Sequence, residues 1–315
     1  MPTNFKLRQL QGFVAAAELG SFALAASRMA VTPPAFSQLI RELESSLGVS
    51  LFDRTTRRLD LTAAGEQLLL SVRRPLQDLD HASADMRALV EGKRGRVAFS
   101  ILHSLAFGIG TRALAALHAQ HSSIAVQMIE DQNDVLIDRV LNREVDFGLG
   151  MFTQVIDELS FEPLFYDELV AVFRSDHAFG KGKSVDWEQL ARQPLILLQP
   201  KSSVRRLVEA SILMTGVPRA PGHEVVSMIT AINMAAAGLG VTVLPSLSLS
   251  SLKTKGMACR PIRNPTPYRQ IGIIRRADRP IPEVEKNVLD HMRKEALCTT
   301  GVLQALPASG QARVD

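Results

Sequence analysis

Polar side chains with the chemistry to read DNA recur near the N-terminus of the chain. Five of them are spaced to lie on one face of a single helix: Thr32, Ser37, Gln38, Arg41 and Ser45. Hydroxyl, amide and guanidinium groups of this kind form hydrogen bonds with base edges in the major groove of DNA. The spacing therefore predicts a helix that presents a base-reading surface.

A basic run follows this surface, and its guanidinium groups suit contacts with phosphates or with a minor groove. The run carries Arg54, Arg57 and Arg58 and lies between two short apolar segments, at residues 51–52 and 59–61. Two apolar segments around a polar tip predict a hairpin wing. The alternative interpretation is a small helical bundle with a solvated basic loop, because periodicity specifies helices and not their ligands.

Three short helices are needed to hold these groups in place. Apolar residues recur at i, i+3, i+4 and i+7 in three segments between residues 10 and 47, which gives each helix one apolar stripe. Ser21 suits the N-cap of the second helix, and Thr32 followed by Pro33 suits the start of the third. Two helices joined by so short a turn, with a polar outer face on the second, are typical of a helix-turn-helix.

A long helix is predicted after the wing, from residue 62 to about residue 91. Its apolar residues alternate in steps of three and four, which is the pattern of a coiled-coil seam. The seam is expected to include Leu69, Val72, Leu76, Leu79 and Met86. We expect it to pair with a second chain; the alternative is a helix packed on its own domain. Pro75 removes a backbone hydrogen bond inside the helix, so a kink is expected near Ser71.

Strands alternate with helices after residue 95, which indicates an α/β domain with parallel sheets. The expected strands are residues 97–100, 124–129, 146–151, 169–173, 195–198, 223–226, 241–244 and 271–274. The expected helices are residues 104–120, 133–143, 204–215, 227–237, 245–253 and 283–296. Such sheets bind ligands at the carboxyl ends of their strands, next to helix N-termini.

Residues at or near these strand ends are the candidate ligand contacts. They are Ser100, Leu102, His103, Asn133, Met151, Phe152, Lys201, Ser203 and Ser227. Helix-end amides and serine hydroxyls together make an anion cradle, so we expect a small carboxylate, with a neutral or amino ligand as the alternative. His103 and Lys201 are the candidates for a charged contact, although a structural histidine and a solvated lysine fit as well. Ser100 and Ser203 also fit the role of helix caps.

Length and composition indicate more than one domain. The chain has 315 residues, of which 46% are hydrophobic, and a net charge of only +4. DNA affinity would therefore come from local arginines rather than from a bulk positive field. No apolar run has transmembrane length and no signal-peptide core begins the chain, so we expect a cytoplasmic protein. Cys259 and Cys298 match no metal-binding spacing, and no metal site is expected.

Enzyme-like patterns in the chain are weak. Residues 108–113 (GIGTRA) fit a dinucleotide fingerprint, but the expected strand ends near Ser100, so the glycines do not form the turn from strand to helix. Residues 146–148 (DFG) imitate a kinase tripeptide without the other kinase motifs. No G-x-S-x-G elbow and no cluster of histidine, cysteine and carboxylate residues stands out. We therefore expect no catalytic residues and no cofactor.

Residues 7–65 resemble the N-terminal domain of LysR-type transcriptional regulators. They carry nearly all of the frame AA-x-x-x-x-V-[ST]-x-PA-x-S-x-x-I-x-x-LE-x-x-LG-x-x-LF-x-R, from Ala25 to Arg54. Pro33 stands where the family usually has glutamine, and Gln38 where it often has arginine. Both positions often face DNA in the family, so the family's base contacts do not carry over intact.

Three later segments resemble the effector domain of the same family, a two-lobed α/β fold like that of periplasmic binding proteins: REVDFGLG, FEPLFYDELVAVFRSDH and MITAINMAAAGLGVTVLP. The resemblance covers residues 6 to about 298. It implies a winged helix-turn-helix over residues 1–61, a linker helix for dimerisation over 62–92 and an effector domain over 93–298. Lobe I is expected at about 95–167 and 266–298, lobe II at about 168–265, and a disordered tail at 299–315.

The resemblance also implies partners. Regulators of this type bind promoter DNA, respond to a small molecule held between the lobes, and assemble as dimers and usually as tetramers; RNA polymerase is a further candidate partner. The peroxide-sensing branch keeps a cysteine pair that the loop around Lys201 lacks, so redox sensing is not expected. The competing class is a cytoplasmic solute-binding or catalytic α/β protein that does not contact DNA.

Overall fold

The computed structural model describes residues 5–53, 59–90, 95–250, 256–299 and 302–303. The chain folds as two compact units, Met1–Glu91 and Gly92–Asp315. The first unit is mainly helical, and the second combines strands and helices around two separate hydrophobic cores.

The first unit begins with the three short helices that the apolar spacing predicts: α1 (Leu7–Leu19), α2 (Phe22–Arg28) and α3 (Pro33–Leu47). The Ser21 hydroxyl caps α2 by accepting a hydrogen bond from the N–H of Leu24, at 3.4 Å. Thr32 stands at the N-cap of α3, but its side chain makes no capping hydrogen bond. The start of α3 therefore depends on the fixed backbone of Pro33 rather than on a side-chain cap.

A short hairpin follows these helices, as the wing prediction requires. Its strands, β1 (Phe52–Asp53) and β2 (Asp60–Leu61), pair antiparallel. The Phe22 ring lies 5.5 Å from that of Phe36 and 5.1 Å from that of Phe52, so aromatic contacts join the helices to the hairpin. The basic tip of the predicted wing, with Arg54, Arg57 and Arg58, lies outside the described residues.

The long predicted helix is α4 (Ala63–Val90), and it continues through Pro75. Its first turn lies against the hairpin. The Thr62 hydroxyl accepts a hydrogen bond from the Gly65 N–H at 3.1 Å. A Cβ atom at Gly65 would lie 2.2 Å from the carbonyl oxygen of Leu51, so this approach requires glycine. The kink expected in this helix stays a prediction.

The predicted seam along α4 divides into two parts. Val72 and Leu76 are buried in the core of the first unit, and Leu69 packs against that core. Burial of Val72 and Leu76 in their own unit leaves these two side chains little area for a partner, so their pairing between chains stays a prediction. Leu79 and Met86, farther along α4, are 50% and 59% exposed and remain available.

The second unit alternates strands and helices. Its elements in chain order are β3 (Arg96–Leu102), α5 (His103–Leu105), a π-helical turn (Ala106–Gly110), α6 (Thr111–Gln120), β4 (Ala125–Asp131), α7 (Asn133–Leu141), β5 (Phe147–Gly150), β6 (Leu159–Arg174), a 3-10 turn (Ala178–Lys181), β7 (Val185–Asp186), α8 (Trp187–Ala191), β8 (Leu195–Leu198), α9 (Ser203–Met214), β9 (His223–Val225), α10 (Met228–Ala236), β10 (Val241–Pro245), α11 (Ser246–Ser250), β11 (Met257–Arg263), β12 (Tyr268–Arg276), α12 (Glu283–Cys298) and β13 (Val302–Leu303).

One long strand, β6, joins two sheets whose combined order is β4-β3-β5-β12-β6-β10-β8-β9. The first sheet encloses a core that includes the stacked rings of Phe99 and Phe147, 5.0 Å apart, and we call this part lobe I. The second sheet encloses a core that includes Trp187 and Ile196, and we call this part lobe II. The two-lobed α/β prediction is confirmed.

The sheets are mixed rather than parallel, which corrects the prediction. β3 pairs in parallel with β4 and β5, but β12 and β10 both run antiparallel to β6. The sequence pattern predicts only residues 169–173 of β6, because polar and half-buried side chains occupy its first part, where it passes from one sheet to the other. β7, α8 and β11 are likewise absent from the sequence prediction.

Two residues beyond α12, Val302 and Leu303, form a short strand. Val302 and Leu303 pair with Asp167 and Tyr166 of β6, so the predicted disorder of residues 299–315 is wrong for these two. An open strand edge offers backbone hydrogen bonds whatever the side chains of the added strand. A prediction of disorder from composition does not detect such pairing, because it considers side chains alone.

Candidate ligand cavity and nucleic-acid interface

A cavity of about 280 Å³ lies between lobe I and lobe II. Its walls come from strand ends and helix starts of both lobes, at the edge where the sequence places its candidate ligand contacts. Leu102, Phe107, Leu198 and Met228 supply apolar surface, and serine, amide and acidic side chains supply polar groups. A mostly apolar cavity with a few directed polar groups is typical of a small-molecule site.

Several helices begin at this cavity. Asn133, Ser203 and Met228 are the first residues of α7, α9 and α10, and all three line it. The N–H groups of a first helical turn have no partner inside the helix, and the helix dipole adds positive potential there. The Ser227 hydroxyl accepts one such hydrogen bond, from the N–H of Ile229 at 3.2 Å. Both lobes therefore direct backbone donors at the same space.

Asn133 is a buried polar residue of the cavity wall. Its side chain is only 1% exposed, and its Oδ1 accepts a hydrogen bond from the Met151 N–H at 2.8 Å. Its Nδ2 has no hydrogen-bond partner among the described residues. An unpaired buried donor costs about 1–3 kcal/mol. A ligand that accepts this hydrogen bond recovers that cost.

Asp131 contributes a carboxylate to the same wall. Its Oδ2 accepts hydrogen bonds from the Ser100 hydroxyl and from Nε of Arg139, both at 2.8 Å. Nη1 of Arg139 donates to Glu144 at 2.6 Å, so one guanidinium group serves two carboxylates. Ser100 is fully buried behind Asp131 and does not line the cavity, so its described role is to position Asp131.

Arg269, one member of a buried ion pair, lines another part of the cavity. Arg269 donates from Nε and Nη2 to Oδ2 of Asp167, at 3.0 and 2.6 Å, and from Nη2 to the Ser104 hydroxyl at 2.8 Å. The other Asp167 oxygen accepts from the Ser246 hydroxyl at 2.8 Å and from the N–H of Leu247 at 3.3 Å. The pair thereby joins β12 and β6 to the starts of α5 and α11, at the place where strands pass between the lobes.

An exposed ion pair links the two lobes directly. Arg206 in α9 donates two hydrogen bonds to the carboxylate of Asp134 in α7, each 2.9 Å long. The hydrogen bond from Arg206 lowers the pKa of Asp134; partial burial opposes this shift, and the charges of Arg206 and Lys201 add to it. The pair connects the first turns of two helices that begin at the cavity.

The structure brings some of the predicted ligand contacts together and leaves others out. Leu102, His103, Asn133, Ser203 and Ser227 line the cavity. Ser100, Met151, Phe152 and Lys201 do not.

The predicted contacts that do not line the cavity have other surroundings. Met151 is buried in the core of lobe I, and the Phe152 ring stacks on that of Phe161 at 5.3 Å. Lys201 is exposed. These three residues follow or adjoin strand ends as predicted, but they are not among those that line the cavity.

Sequence reasoning missed Asp131 and Arg269 as site residues. Asp131 is the last residue of β4, two positions before Asn133, which the sequence singles out. Arg269 lies two positions before the buried Ile271 in β12, so the alternation of a strand predicts that it points inward. A charged residue at an inward position requires a buried partner, and this signal could have drawn attention to it.

The predicted DNA-reading surface is the outer face of α3. Thr32, Pro33, Gln38 and Arg41 are exposed, and Ser37 is half-buried. The Gln38 side chain donates a hydrogen bond from Nε2 to the Glu42 carboxylate at 3.1 Å. Gln38 must therefore exchange this contact for a base contact if it reads DNA.

Comparison with known families identifies both parts of the chain. Residues 7–66 match the family model described as "Bacterial regulatory helix-turn-helix protein, lysR family", and residues 91–297 match "LysR substrate binding domain". The chain belongs to the LysR family of transcriptional regulators. The resemblance seen in the sequence is thereby confirmed.

Relatives of this LysR-type regulator cover most of its length. The HTH-type transcriptional regulator YbhD of Escherichia coli K12 is 30% identical over 273 residues, 87% of this chain and 86% of YbhD. The HTH-type transcriptional regulator IlvR of Caulobacter vibrioides is 29% identical over 285 residues, 89% of this chain and 95% of IlvR. The solved structure of CbnR, a LysR family transcriptional regulator, has the same fold, with a TM-score of 0.68, 22% identity and coverage of 93% of this chain and 99% of CbnR.

The regulator therefore combines a DNA-binding helix-turn-helix domain with an effector-binding domain. LysR regulators are not enzymes, and one of the solved CbnR structures is a complex with its target DNA. Within the described ranges, no helix is both long and apolar enough to cross a membrane. The described residues also contain no group of three or more side chains suited to hold a metal ion.

Proposed function

We propose that this regulator binds a small carboxylate in the cavity between its lobes and that the bound ligand changes its binding to promoter DNA. The observation that supports the ligand class is the convergence of the first turns of α7, α9 and α10 on one cavity, together with the unpaired Nδ2 of Asn133. Backbone N–H groups at helix starts favour an anion, and Nδ2 supplies a further donor.

A ligand in this place would also supply a mechanism for switching. It would contact α7 in lobe I and α9 and α10 in lobe II, so its contacts are best when the lobes are close together. A ligand shifts a conformational equilibrium only by its difference in affinity for the two states, and bridging both lobes creates such a difference. The ion pair of Asp134 and Arg206 joins the same helices and would favour the same arrangement.

For DNA recognition, we propose that two copies of the chain present α3 and the wing to the two halves of a palindromic site. Leu79 and Met86 are the exposed apolar residues of the predicted seam, and pairing of α4 helices would cover them. Two such dimers would form the tetramer expected for the family. Since the target is chromosomal DNA, the proposed place of action is the cytoplasm.

The experiment that tests the ligand class is calorimetric titration of the full chain with small carboxylates, each compared with its uncharged primary amide. We expect a carboxylate to bind and its amide to bind much more weakly. Asn133→Asp retains an oxygen for the Met151 N–H but replaces the Nδ2 donor by negative charge, so carboxylate affinity should fall at least about 10-fold.

Asn287→Asp is the matched control, because this half-buried residue lies on α12, away from the cavity lining, and its Nδ2 bonds only the Glu283 carbonyl oxygen among the described contacts. The same ligand should change the mobility shift of the DNA upstream of the gene. Equal binding of carboxylates and amides, or unchanged affinity in Asn133→Asp, would contradict the proposed ligand class.

A further inference from the structure

We infer that the effector is a zwitterionic α-amino acid with an apolar side chain, and that Asp131 receives its ammonium group. This inference rests on the proposed carboxylate site and narrows it. A simple carboxylate satisfies the donors of the helix starts and of Asn133. It leaves one oxygen of Asp131 without a donor among the described residues, because Asp131 shares the single guanidinium group of Arg139 with Glu144.

The Asp131 carboxylate has acceptor capacity left for a ligand. The described hydrogen bonds of Asp131 all reach Oδ2, from Ser100 and from Arg139. Arg139 contacts it through Nε alone, because Nη1 is bonded to Glu144. Oδ1 belongs to a side chain that lines the cavity and accepts none of the described hydrogen bonds. It is therefore placed to accept a hydrogen bond from an ammonium group, and a charge-assisted bond of this kind is strong.

The arginines near the cavity are already matched by internal partners. The Arg269 guanidinium is bound to Asp167, with both side chains almost fully buried. Arg206 is bound to Asp134, and Lys201 does not line the cavity. Among the described residues that line the cavity, no unpaired arginine or lysine would offset the repulsion between Asp131 and a ligand with net negative charge. A zwitterion adds no net charge and avoids this cost.

The spacing of the wall groups suits adjacent ammonium and carboxylate groups. Asp131 ends β4 and Asn133 starts α7, with one residue between them. The ammonium group would bind Oδ1 of Asp131 while the neighbouring carboxylate binds Nδ2 of Asn133 and the N–H groups of the helix starts. The apolar lining by Leu102, Phe107 and Met228 then faces the ligand side chain. The cavity of about 280 Å³ has room for a medium-sized one.

The test uses the full chain and sets of three matched probes. For each of valine, leucine, isoleucine, methionine and phenylalanine, calorimetry compares the L-amino acid, the acid that lacks the amino group, and the amide that lacks the carboxylate charge. We expect at least one amino acid to bind roughly 10- to 100-fold more tightly than its deaminated acid. Its amide should bind weakly, because it lacks the anion that the helix starts favour.

Asp131→Asn separates the ammonium contact from the rest of the site. The asparagine keeps one oxygen for Ser100 and Arg139 but loses the charge, so the amino acid should lose its advantage over the deaminated acid. Asp138→Asn, an exposed residue on the outer side of α7, is the control and should leave that advantage unchanged. Thermal melting of each variant checks that a loss of affinity is not a loss of fold.

The outcomes separate this inference from the proposed function. The amino-acid inference is wrong, and the carboxylate site stands, if deaminated acids bind the natural protein as tightly as the amino acids. The same holds if Asp131→Asn leaves unchanged the ratio of the two dissociation constants, that of the amino acid and that of its deaminated acid. Should only the amides bind, or no probe of any set, both the inference and the carboxylate proposal are overturned.

Discussion

The predicted DNA-reading surface of α3 and the cavity between the lobes present their polar groups in different ways. On α3 the polar groups are exposed side chains of one helix, whose opposite face is anchored by the buried Phe36, Ile40 and Leu43. In the cavity wall, four polar residues are buried and each is hydrogen-bonded to another segment of the same domain: Ser104, Asp131, Asn133 and Arg269.

On α3, a substitution is therefore expected to change function without changing stability. In the cavity, a substitution is expected to change both. A polar side chain on the outer face of α3 is replaceable without loss of core packing, so its substitution should change DNA affinity alone. Buried polar groups such as Asp167 and Arg269 stabilise the fold and also shape the region of the cavity. Removal of either side chain leaves the other buried without its partner. The predictions below test this contrast, beginning with the largest expected effect.

Replacing Arg269 by methionine should have the largest effect. The change keeps the volume of the side chain but leaves Asp167 buried without its cation, and breaking such a pair costs about 3–5 kcal/mol. The free energy of unfolding of the second unit should fall by that amount. Urea unfolding followed by the fluorescence of Trp187, the single tryptophan of the chain, measures it.

Arg263→Met provides the matched control for this measurement. Arg263 pairs with Glu168 at 2.8 Å, but the arginine side chain is 44% exposed, so the loss should stay below about 1 kcal/mol. Similar losses in unfolding free energy for the two substitutions would show that the buried pair near the cavity contributes no more stability than an exposed pair.

The second prediction compares two neighbouring leucines of α4. Leu76→Asp places a charge in the core of the first unit, which should destabilise that unit by about 3 kcal/mol and abolish DNA binding. Leu79→Asp changes a half-exposed residue, so the fold should survive and the dimer should weaken instead. Circular dichroism measures the first effect and light scattering the second. An unchanged oligomer in Leu79→Asp would exclude this part of α4 from the interface.

The sequence predicts the apolar stripe of α4 but does not determine which surface the stripe packs against. The three-and-four spacing predicts one apolar stripe on the helix, but the same stripe serves a coiled coil or the core of the helix's own domain. Local spacing predicted α3 and the strand at residues 195–198 well, since each depends on neighbouring residues. It did not predict that Asp167 and Arg269 pair, because they lie far apart in the chain and only the folded sheet brings them together.

The third prediction concerns base reading by α3. Gln38→Ala should cost about 1–3 kcal/mol on the true operator and little on unrelated DNA, with no change in stability. The cost should lie toward the low end, since Gln38 gives up its hydrogen bond to Glu42 when it binds a base. Mobility shifts on operator and unrelated DNA at one salt concentration measure the difference. An equal loss on both DNAs would assign Gln38 to nonspecific contact.

The smallest effect is expected at the exposed pair that links the lobes. The hydrogen bond from Arg206 lowers the pKa of Asp134, against the opposing effect of partial burial. A lowered pKa in the folded state means that the pair stabilises the fold at and above the ordinary aspartate pKa, about 3.9. That contribution disappears only as the pH falls through the lowered value. Between pH 5 and pH 8 it should therefore be constant.

Asp134→Asn measures this contribution. Because the two side chains are 57% and 45% exposed, solvent screening should limit the loss in unfolding free energy to about 0.2–1 kcal/mol. The loss, followed by Trp187 fluorescence in urea, should be the same at pH 5 and pH 8 and should shrink as salt is added. A difference between natural and variant chains that grows or vanishes between those two pH values would show that another group, rather than Asp134, controls the link between the lobes.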